Sequence, residues 1–477
     1  MDHTRRVYRL SPSQLSAETI AVTFAKTSRS PEPFDAIAAE LDAEKSARFS
    51  EKWIVGYGHS SVAEHAVLHL ALENVSRMSI ETIEANRLAS YTEKSSRYQL
   101  WDPKAYVTPP ELEGSPFHER YIQVMNYLFA VYAESLDWLI PWGEANTPRQ
   151  LGEGDKAWAN RARLKSVDVA RFLLPAAATA NVGITINARA LEYAIRKMLS
   201  SPLAEVRAIG QEVKRVANEE LPTLVKYADP IESLAGVRDY CRRLTAQVDT
   251  IPSDRWCVLR HYDPNAEDKI LAAILFRFGD DSVAVCLDQV LNMPAEDRQK
   301  WLDRLFDQLD EHDVPLRELE YSNYVFELVM DQGAYFEFKR HRMMTQTAQT
   351  LTADLGYAIP RAITEAGFEP HYRKAMDLAG RLFRDMVAWN PDVAAYVVPN
   401  AFNRRVLCSL NLREMFHFIR LRCAENAHFS IRRVGRGMFE ALESVHPSFA
   451  GKIKLKLDES SDTLAEKYFT ALEESIQ

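Results

Sequence analysis

The chain has 477 residues, 47% of them hydrophobic, and a formal net charge of −9. That size and apolar content suit two or three domains with substantial cores. The balance of 58 Lys+Arg against 67 Asp+Glu excludes a generally basic nucleic-acid coat, so an anionic ligand has to be met by local arginines. The five cysteines, Cys241, Cys257, Cys286, Cys408 and Cys423, include no C-x-x-C spacing. They fit reduced thiols in a cytosolic compartment, and no metal site is expected. No apolar stretch follows Met1–Arg6, which predicts no signal peptide. The most apolar segment, 172–186, is broken by Pro175 and Asn181 and is too short to span a bilayer.

In chain order, Ala66 to Val75 alternates as a strand, with Val67, His69 and Ala71 on one face and Leu68, Leu70 and Leu72 on the other. Ser76-Arg77-Met78-Ser79 can start a helix that runs through Ile80 and Ile83 towards Arg87. Ala85-Asn86-Arg87 is then followed by seven residues and Ser95-Ser96-Arg97-Tyr98. The stretch Glu111 to Ser166 is an insertion with no legible role. Ala170-Arg171-Phe172-Leu173-Leu174-Pro175 precedes a helix starting at Asn187-Ala188-Arg189. Pro230, the run Arg238 to Arg243 and Pro252 mark a linker over 228–252, after which a fresh element starts at Trp256.

Tyr321 to Met330 reads as a second strand, Asp331-Gln332-Gly333 as a turn, and Ala334 to Arg342 as a helix whose cationic end suits the macrodipole. Arg340-His341-Arg342 is followed by seven residues and Thr350. Ala394-Ala395-Tyr396-Val397-Val398-Pro399 then precedes a helix starting at Asn411-Leu412-Arg413. On that helix Leu412, Met415, Phe416, Ile419 and Cys423 form an apolar face. Asn411 and Arg422 fall on one border of it, and Arg413, His417 and Arg420 on the other. An arginine on such a border can simply snorkel, the reading favoured for Arg420.

The same order of elements thus occurs twice, over 1–227 and 253–477. Arg171 and Ala395 each stand 16 residues before the asparagine of their copy, Asn187 or Asn411. The later copy keeps a cationic Arg-His-Arg head and lacks the Ser-x-Arg tail; the earlier copy does the reverse. Ser95 and Arg97 offer a hydroxyl and a fork of donors suited to a phosphate monoester, and Arg171 offers a second fork. Alone, a Ser-x-Arg is more often a solvated loop, and an Arg-His-Arg more often a helix cap. Their co-occurrence carries the weight.

Together these motifs resemble the flavin-dependent thymidylate synthases, whose signature is R-H-R-x7-S. His59 to His65 resembles the family's H-x-x-x-x-E-H segment. Ser90, Glu93, Ser95, Arg97 and Tyr98 resemble the tail of the signature. Asn187-Ala188-Arg189 and Asn411-Leu412-Arg413 resemble its N-x-R helix start, and Leu421-Arg422 with Ala424 to Ile431 its last segment. The resemblance spans about 20–225 and 255–450 and implies an α+β fold: two tandem copies of an antiparallel sheet with helices, forming a pseudo-dimer.

The resemblance implies reductive methylation of dUMP to dTMP by methylenetetrahydrofolate, with FAD as cofactor and NADPH as reductant. It implies no Rossmann unit, so Gly435-x-Gly437 is incidental. Carried over residue by residue, Ser95, Arg97, Arg171, Glu93, Arg340 and Arg422 would bind substrate, with Arg422 polarising the uracil. Arg340, His341, Arg342, Asn411, Arg413, His417, Asn187 and Arg189 would bind the cofactor. Thr350, Thr352 and Ala395 stand where the later copy would need its phosphate set. Ala85, Asn86 and Met198 stand where the earlier copy would need its cationic set. One composite site is therefore expected, with its mirror lost. Glu337 replaces a glutamine near the phosphate, where a carboxylate repels a dianion unless it is paired or turned away. His417 replaces an asparagine, and Asn426 and His428 replace a His and Gln pair.

A cytoplasmic homodimer equivalent to the family's tetramer is expected, with small-molecule partners only: no nucleic-acid polymer and no membrane. The alternatives are a non-catalytic nucleotide- or flavin-binding paralogue with a regulatory role, and a structural partner that completes another synthase chain.

Overall fold

The protein is described here by a computed structural model covering residues 6, 8–28, 30–52, 60–244, 255–310 and 313–476. His59 and Pro252 lie outside the described residues. The chain forms two compact units. The first comprises Met1–Ser95, Ala105–His118 and Ala177–Val248, and the second Ser96–Lys104, Glu119–Ala176 and Asp249–Gln477. These units do not follow the two sequence halves, because 96–104 and 119–176 of the earlier half belong to the second unit.

In the first unit, β1 (Val67–Ser76), β2 (Ala89–Glu93) and β3 (Thr179–Asn187) make an antiparallel sheet of order β1-β3-β2. Leu70 lies opposite Ile184 on one side of β3, and Tyr91 opposite the same Ile184 on the other. The helix after β1 spans Arg77–Ile83 and ends before Arg87. Asn187 caps the helix Ala188–Leu199 by accepting the Ala190 N–H at 2.9 Å.

The second unit repeats this plan with an added edge strand. Here β4 (Cys257–Tyr262), β5 (Tyr324–Asp331), β6 (Thr345–Ala348) and β7 (Asn403–Leu410) form an antiparallel sheet of order β4-β5-β7-β6. The last strand of each copy thus lies between the first and second strands of that copy's shared plan, which is the topological mark of the duplication. Asn411 caps the helix Leu412–Arg422 through the Glu414 N–H at 2.9 Å, as Asn187 does in the first unit. The apolar face expected on this helix is buried, together with Phe418. Tyr324, Phe326 and Leu328 of β5 are fully buried in the same core as Met415, Phe418 and Ile419.

One expectation is corrected here. The helix after β5 spans Gln332–Phe338 rather than Ala334 to Arg342. Asp331 is its N-cap and accepts the Ala334 N–H at 2.8 Å, so Gln332 and Gly333 are already helical. The last helical bond is Lys339 N–H to the Tyr335 carbonyl, 2.8 Å. Tighter turns follow, with His341 N–H to the Phe338 carbonyl at 3.1 Å. Arg340-His341-Arg342 therefore lies in the turn beyond the helix, free of helical spacing.

The insertion also gains a role. It forms the helix His118–Ala145 and most of the helix Asp155–Ala170, which runs four residues past it; the two are joined by Ser166 Oγ donating to the Leu139 carbonyl at 2.7 Å. The second helix carries Asp168 near its end and runs directly into Arg171. The described part of the linker includes a helix, Glu232–Leu244. The five cysteines form no disulfide. Among the described residues no helix is long and apolar enough to cross a membrane, and no cluster of possible metal ligands occurs.

The shared caps predict that Asn187→Ala and Asn411→Ala each cost about 1 kcal/mol. Urea unfolding of the purified protein checks this, and an unchanged midpoint for either variant would contradict the capping role.

Candidate functional site

Residues from both sequence halves meet inside the second unit. Glu337, in the last turn of Gln332–Phe338, is buried, and each of its carboxylate oxygens faces a different arginine. Arg171 Nη2 lies 3.4 Å from Oε1, and Arg422 Nη1 donates to Oε2 at 3.1 Å. Arg422 also donates through Nη2 to the Glu337 carbonyl at 3.0 Å and through Nε to His341 Nε2 at 2.9 Å. Since His341 Nε2 accepts, its proton sits on Nδ1 and is donated to Glu414 Oε1 at 3.0 Å. Glu414 is held in turn at the first turn of the helix capped by Asn411.

Arg97 forms a two-pronged pair with Asp168, both bonds 2.9 Å, and a third bond to the Asn426 carbonyl at 3.2 Å. His428 braces the same corner. Its Nδ1 accepts the Ser430 N–H at 3.1 Å, so Nε2 donates to the Asp168 carbonyl, also at 3.1 Å. Two glycines make room for this packing. A Cβ on Gly333 would lie 2.9 Å from Asp331 Oδ1 and 3.5 Å from Arg171 Nη2. A Cβ on Gly435 would lie 2.8 Å from Cys423 Sγ and 3.6 Å from Arg422 Cβ. Gly435 and Gly437 are thus packing positions within the helix Phe429–Val445.

Burial dominates the electrostatics. It lowers the pKa of Arg171 against the pull of Glu337 and Asp168, and lowers that of Arg422 against Glu337. For Arg97 burial acts the same way, but the Asp168 fork outweighs it and the pKa is raised. Burial keeps His341 neutral more strongly than Glu414 favours its charged form, so its pKa is lowered. His428 is lowered well below the ordinary histidine value, first by burial and then by Arg171 and Arg97. The Nε of Arg171 is buried with no hydrogen-bond partner. This guanidinium therefore keeps donor capacity that its two 3.4 Å contacts, to Glu337 and the Gly333 carbonyl, leave unused.

Of the other expected site residues, some border this cluster and others lie away from it; His417 packs its ring 5.4 Å from that of His341. Arg340 and His417 are exposed and Arg342 is half-buried. Arg413 turns away to Glu320 at 2.8 Å and the Pro315 carbonyl at 3.0 Å. Arg420 bonds the carbonyls of Asp310 and Asp313. Ser95, Glu93, Asn187 and Arg189 belong to the first unit. There Glu93 pairs with Arg77 at 2.7 Å, both side chains 2% exposed, and Arg189 pairs with Glu64 on the surface. Asn86 and Met198, which stand where the later copy has His341 and Arg422, line an apolar cavity with Leu70, Ile83, Ile184 and Leu191.

Asp168 and Glu414 were not legible as site residues. Asp168 lies just beyond the unread insertion of Glu111 to Ser166, where its spacing of three from Arg171 was the available signal. Glu414 stands three residues after a helix cap, which reads as ordinary capping.

The repeated topology has a sequence counterpart. The family model described as thymidylate synthase complementing protein matches residues 10–223 and again 258–448. The chain belongs to this family. A full-length family relative is a UPF0159 protein of Chlamydia muridarum, 30% identical over 87% of this chain and 82% of its own. A UPF0159 protein of Thermoplasma acidophilum is 28% identical over 87% of this chain and 90% of its own. A flavin-dependent thymidylate synthase of Clostridium tetani is 28% identical over 45% of this chain and 82% of its own, about one copy of the repeat. Among solved structures, a flavin-dependent thymidylate synthase ThyX of Helicobacter pylori, complexed with FAD and dUMP, is 18% identical. The match covers 42% of this chain and 99% of that one, at a TM-score of 0.30.

The buried neutral histidines set a pH dependence. His341 and His428 have folded pKa values below the unfolded value of 6.5, so the unfolded chain binds more protons as pH falls past it. Their stabilising contribution is complete above about pH 6.5 and is lost below it. Asp331, whose carboxyl burial pushes up, works in the opposite direction. The urea midpoint should therefore fall between about pH 7.5 and 5.5, and His428→Asn should flatten that slope. An identical slope in the variant would remove His428 from the account.

Proposed function

We propose that this protein is an FAD-dependent thymidylate synthase. It would convert dUMP to dTMP by reductive methylation, with methylenetetrahydrofolate as the carbon donor and NADPH as the reductant. The observation that carries this reading is the gathering of Arg97, Arg171, Arg422 and His341 within one compact unit, from sequence halves that each hold only part of the set. The single-copy relatives described as flavin-dependent thymidylate synthases support it.

The donor set suits an anionic nucleotide. Three guanidiniums converge, and one of them keeps a buried Nε without a partner. Arg97 and Arg171 would hold the phosphate by charge-assisted bonds, each contributing roughly 1.5–3 kcal/mol. Arg422, oriented by His341 Nε2 and the Glu337 carbonyl, would direct its fork at the uracil ring and draw charge towards a carbonyl oxygen. Exposed Arg340 and half-buried Arg342 suit the diphosphate of FAD. His341, with both ring nitrogens engaged, would meet the cofactor by its ring alone. FAD, when bound, supplies the hydride. The proposed site is confined to residues of the second unit.

A second reading has its own support. Glu337 already sits on Arg171 and Arg422, which favours a non-catalytic nucleotide-binding protein. The visible spectrum separates the two. The synthase reading expects a yellow protein that forms dTMP from dUMP, methylenetetrahydrofolate and NADPH. It also expects Arg97→Ala and Arg422→Ala to lower turnover at least about 100-fold, as losing a transition-state contact does, while Met198→Ala has little effect. Flavin bound with no dTMP formed removes the synthase reading. Tight dUMP binding by a colourless protein supports the second.

The assembly we propose is a cytoplasmic homodimer, since two duplicated chains carry as many copies of the fold as four single ones. Light scattering should give twice the chain mass, and a fully active monomer would exclude the dimer.

A further inference from the structure

Glu337 bridges two site arginines, and three observations give it a function. Its two carboxylate oxygens are divided between Arg171 and Arg422. Arg171 is only 3% exposed at its side chain, and the Glu337 carboxylate is one of the groups that lie against its guanidinium. Yet Arg171 is under-used, with two contacts of 3.4 Å and a buried Nε that has no partner. A guanidinium offers five donors, and a buried cation held this loosely is matched to a stronger acceptor than it now has.

Charge counting sharpens the point. Arg97 is neutralised by the Asp168 fork. Arg171 and Arg422 share the single carboxylate of Glu337. Arg97, Arg171, Arg422, Asp168 and Glu337 together carry one net positive charge, short of a phosphate monoester dianion; buried Asp331, which acts on Arg171, and exposed Arg340, which acts on Arg422, lie outside this count.

We propose that Glu337 is an internal competitor for the ligand's phosphate. It stands in for that phosphate on Arg171 and Arg422, is displaced from Arg171 when a nucleotide binds, and lowers the site's preference for doubly charged over singly charged phosphates. This rests on the nucleotide reading above and deepens it by assigning the residue that sets which phosphate charge the site accepts. A purely structural Glu337 would affect all ligands alike. A competitor affects each in proportion to its charge.

The test is calorimetric titration of the full chain with dUMP, with its methyl phosphodiester (a monoanion) and with uncharged deoxyuridine. Glu337→Gln keeps the side-chain shape and removes the charge; its single amide oxygen can accept from only one of the two arginines in place of the carboxylate's pair. It should tighten dUMP on the order of 10- to 100-fold, the scale of removing one nearby like charge in a partly buried site. Deoxyuridine should change less than about threefold. If the variant leaves dUMP affinity unchanged or weaker while its circular dichroism matches the parent, the inference is overturned. A reading on the unaltered protein holds even if the variant fails to fold: dUMP should bind no more than about threefold tighter than its methyl diester, and a larger preference overturns the inference. Absence of dUMP binding in both proteins overturns the nucleotide reading, and this inference with it. Binding to the parent that the variant does not tighten overturns this inference alone.

Discussion

In the second unit a buried carboxylate, Glu337, sits between two guanidiniums, that of Arg171 buried and that of Arg422 half-buried. Taking charged groups out of water costs several kcal/mol each, and attraction recovers this only where geometry and further hydrogen bonds are good. At Glu337 the geometry is unequal. Arg422 is well satisfied by the side chain and backbone of Glu337 and by His341, whereas Arg171 holds only long contacts. Breaking such a pair by removing one partner is costly, on the order of 3–5 kcal/mol, because the other charge is stranded. A buried ion pair is nevertheless weak evidence for stability, since well-packed apolar residues often do as well. The uneven pairing agrees with the proposed role of Glu337 as a competitor for a ligand's phosphate.

The surrounding scaffold has the sequence to keep these charges in place. Asn411 caps the helix that carries both Glu414 and Arg422, so one helix start aligns the group that fixes the His341 tautomer and the group that His341 accepts from. His341 can reach them because the chain leaves the helix at Phe338. Had the helix run on to Arg342, the three residues would have fanned round its axis at about 100° each. Asp168 and Arg171 come from the end of the helix Asp155–Ala170 and the turn after it, so the earlier half supplies charged groups to the second unit.

The first unit took the other course. Met198 and Asn86 occupy the positions of Arg422 and His341, and apolar side chains close round them. Filling such a place with methionine removes the need to satisfy a buried cation, and methionine adapts readily to irregular gaps. Duplication allows each copy to lose part of the charged set, because at any one position one copy can relax into ordinary packing while the other keeps the costly charge. Membership of the thymidylate synthase complementing family accounts for the shared plan. The chemistry must be argued from the surviving charged set, since a fold accommodates more than one function.

Much was readable before any coordinates. Alternation in Ala66 to Val75, the two capping asparagines and the matched prolines are local signals, and local backbone preferences act within a few residues. They established the strands, the helix starts and the duplication. The complementary losses, Ala395 against Arg171 and Met198 against Arg422, were equally plain. What remained hidden depends on distance in space. Nothing near Glu337 in the chain says that Arg171, 166 positions earlier, lies against its carboxylate. Nor does local sequence reveal that Arg413 turns away to Glu320 while Arg422 turns in. Helical periodicity sets the border on which a side chain sits, but only the neighbouring elements decide which partner meets it there. Partner choice among buried charges is a tertiary property, because it is settled by which groups lose their water together.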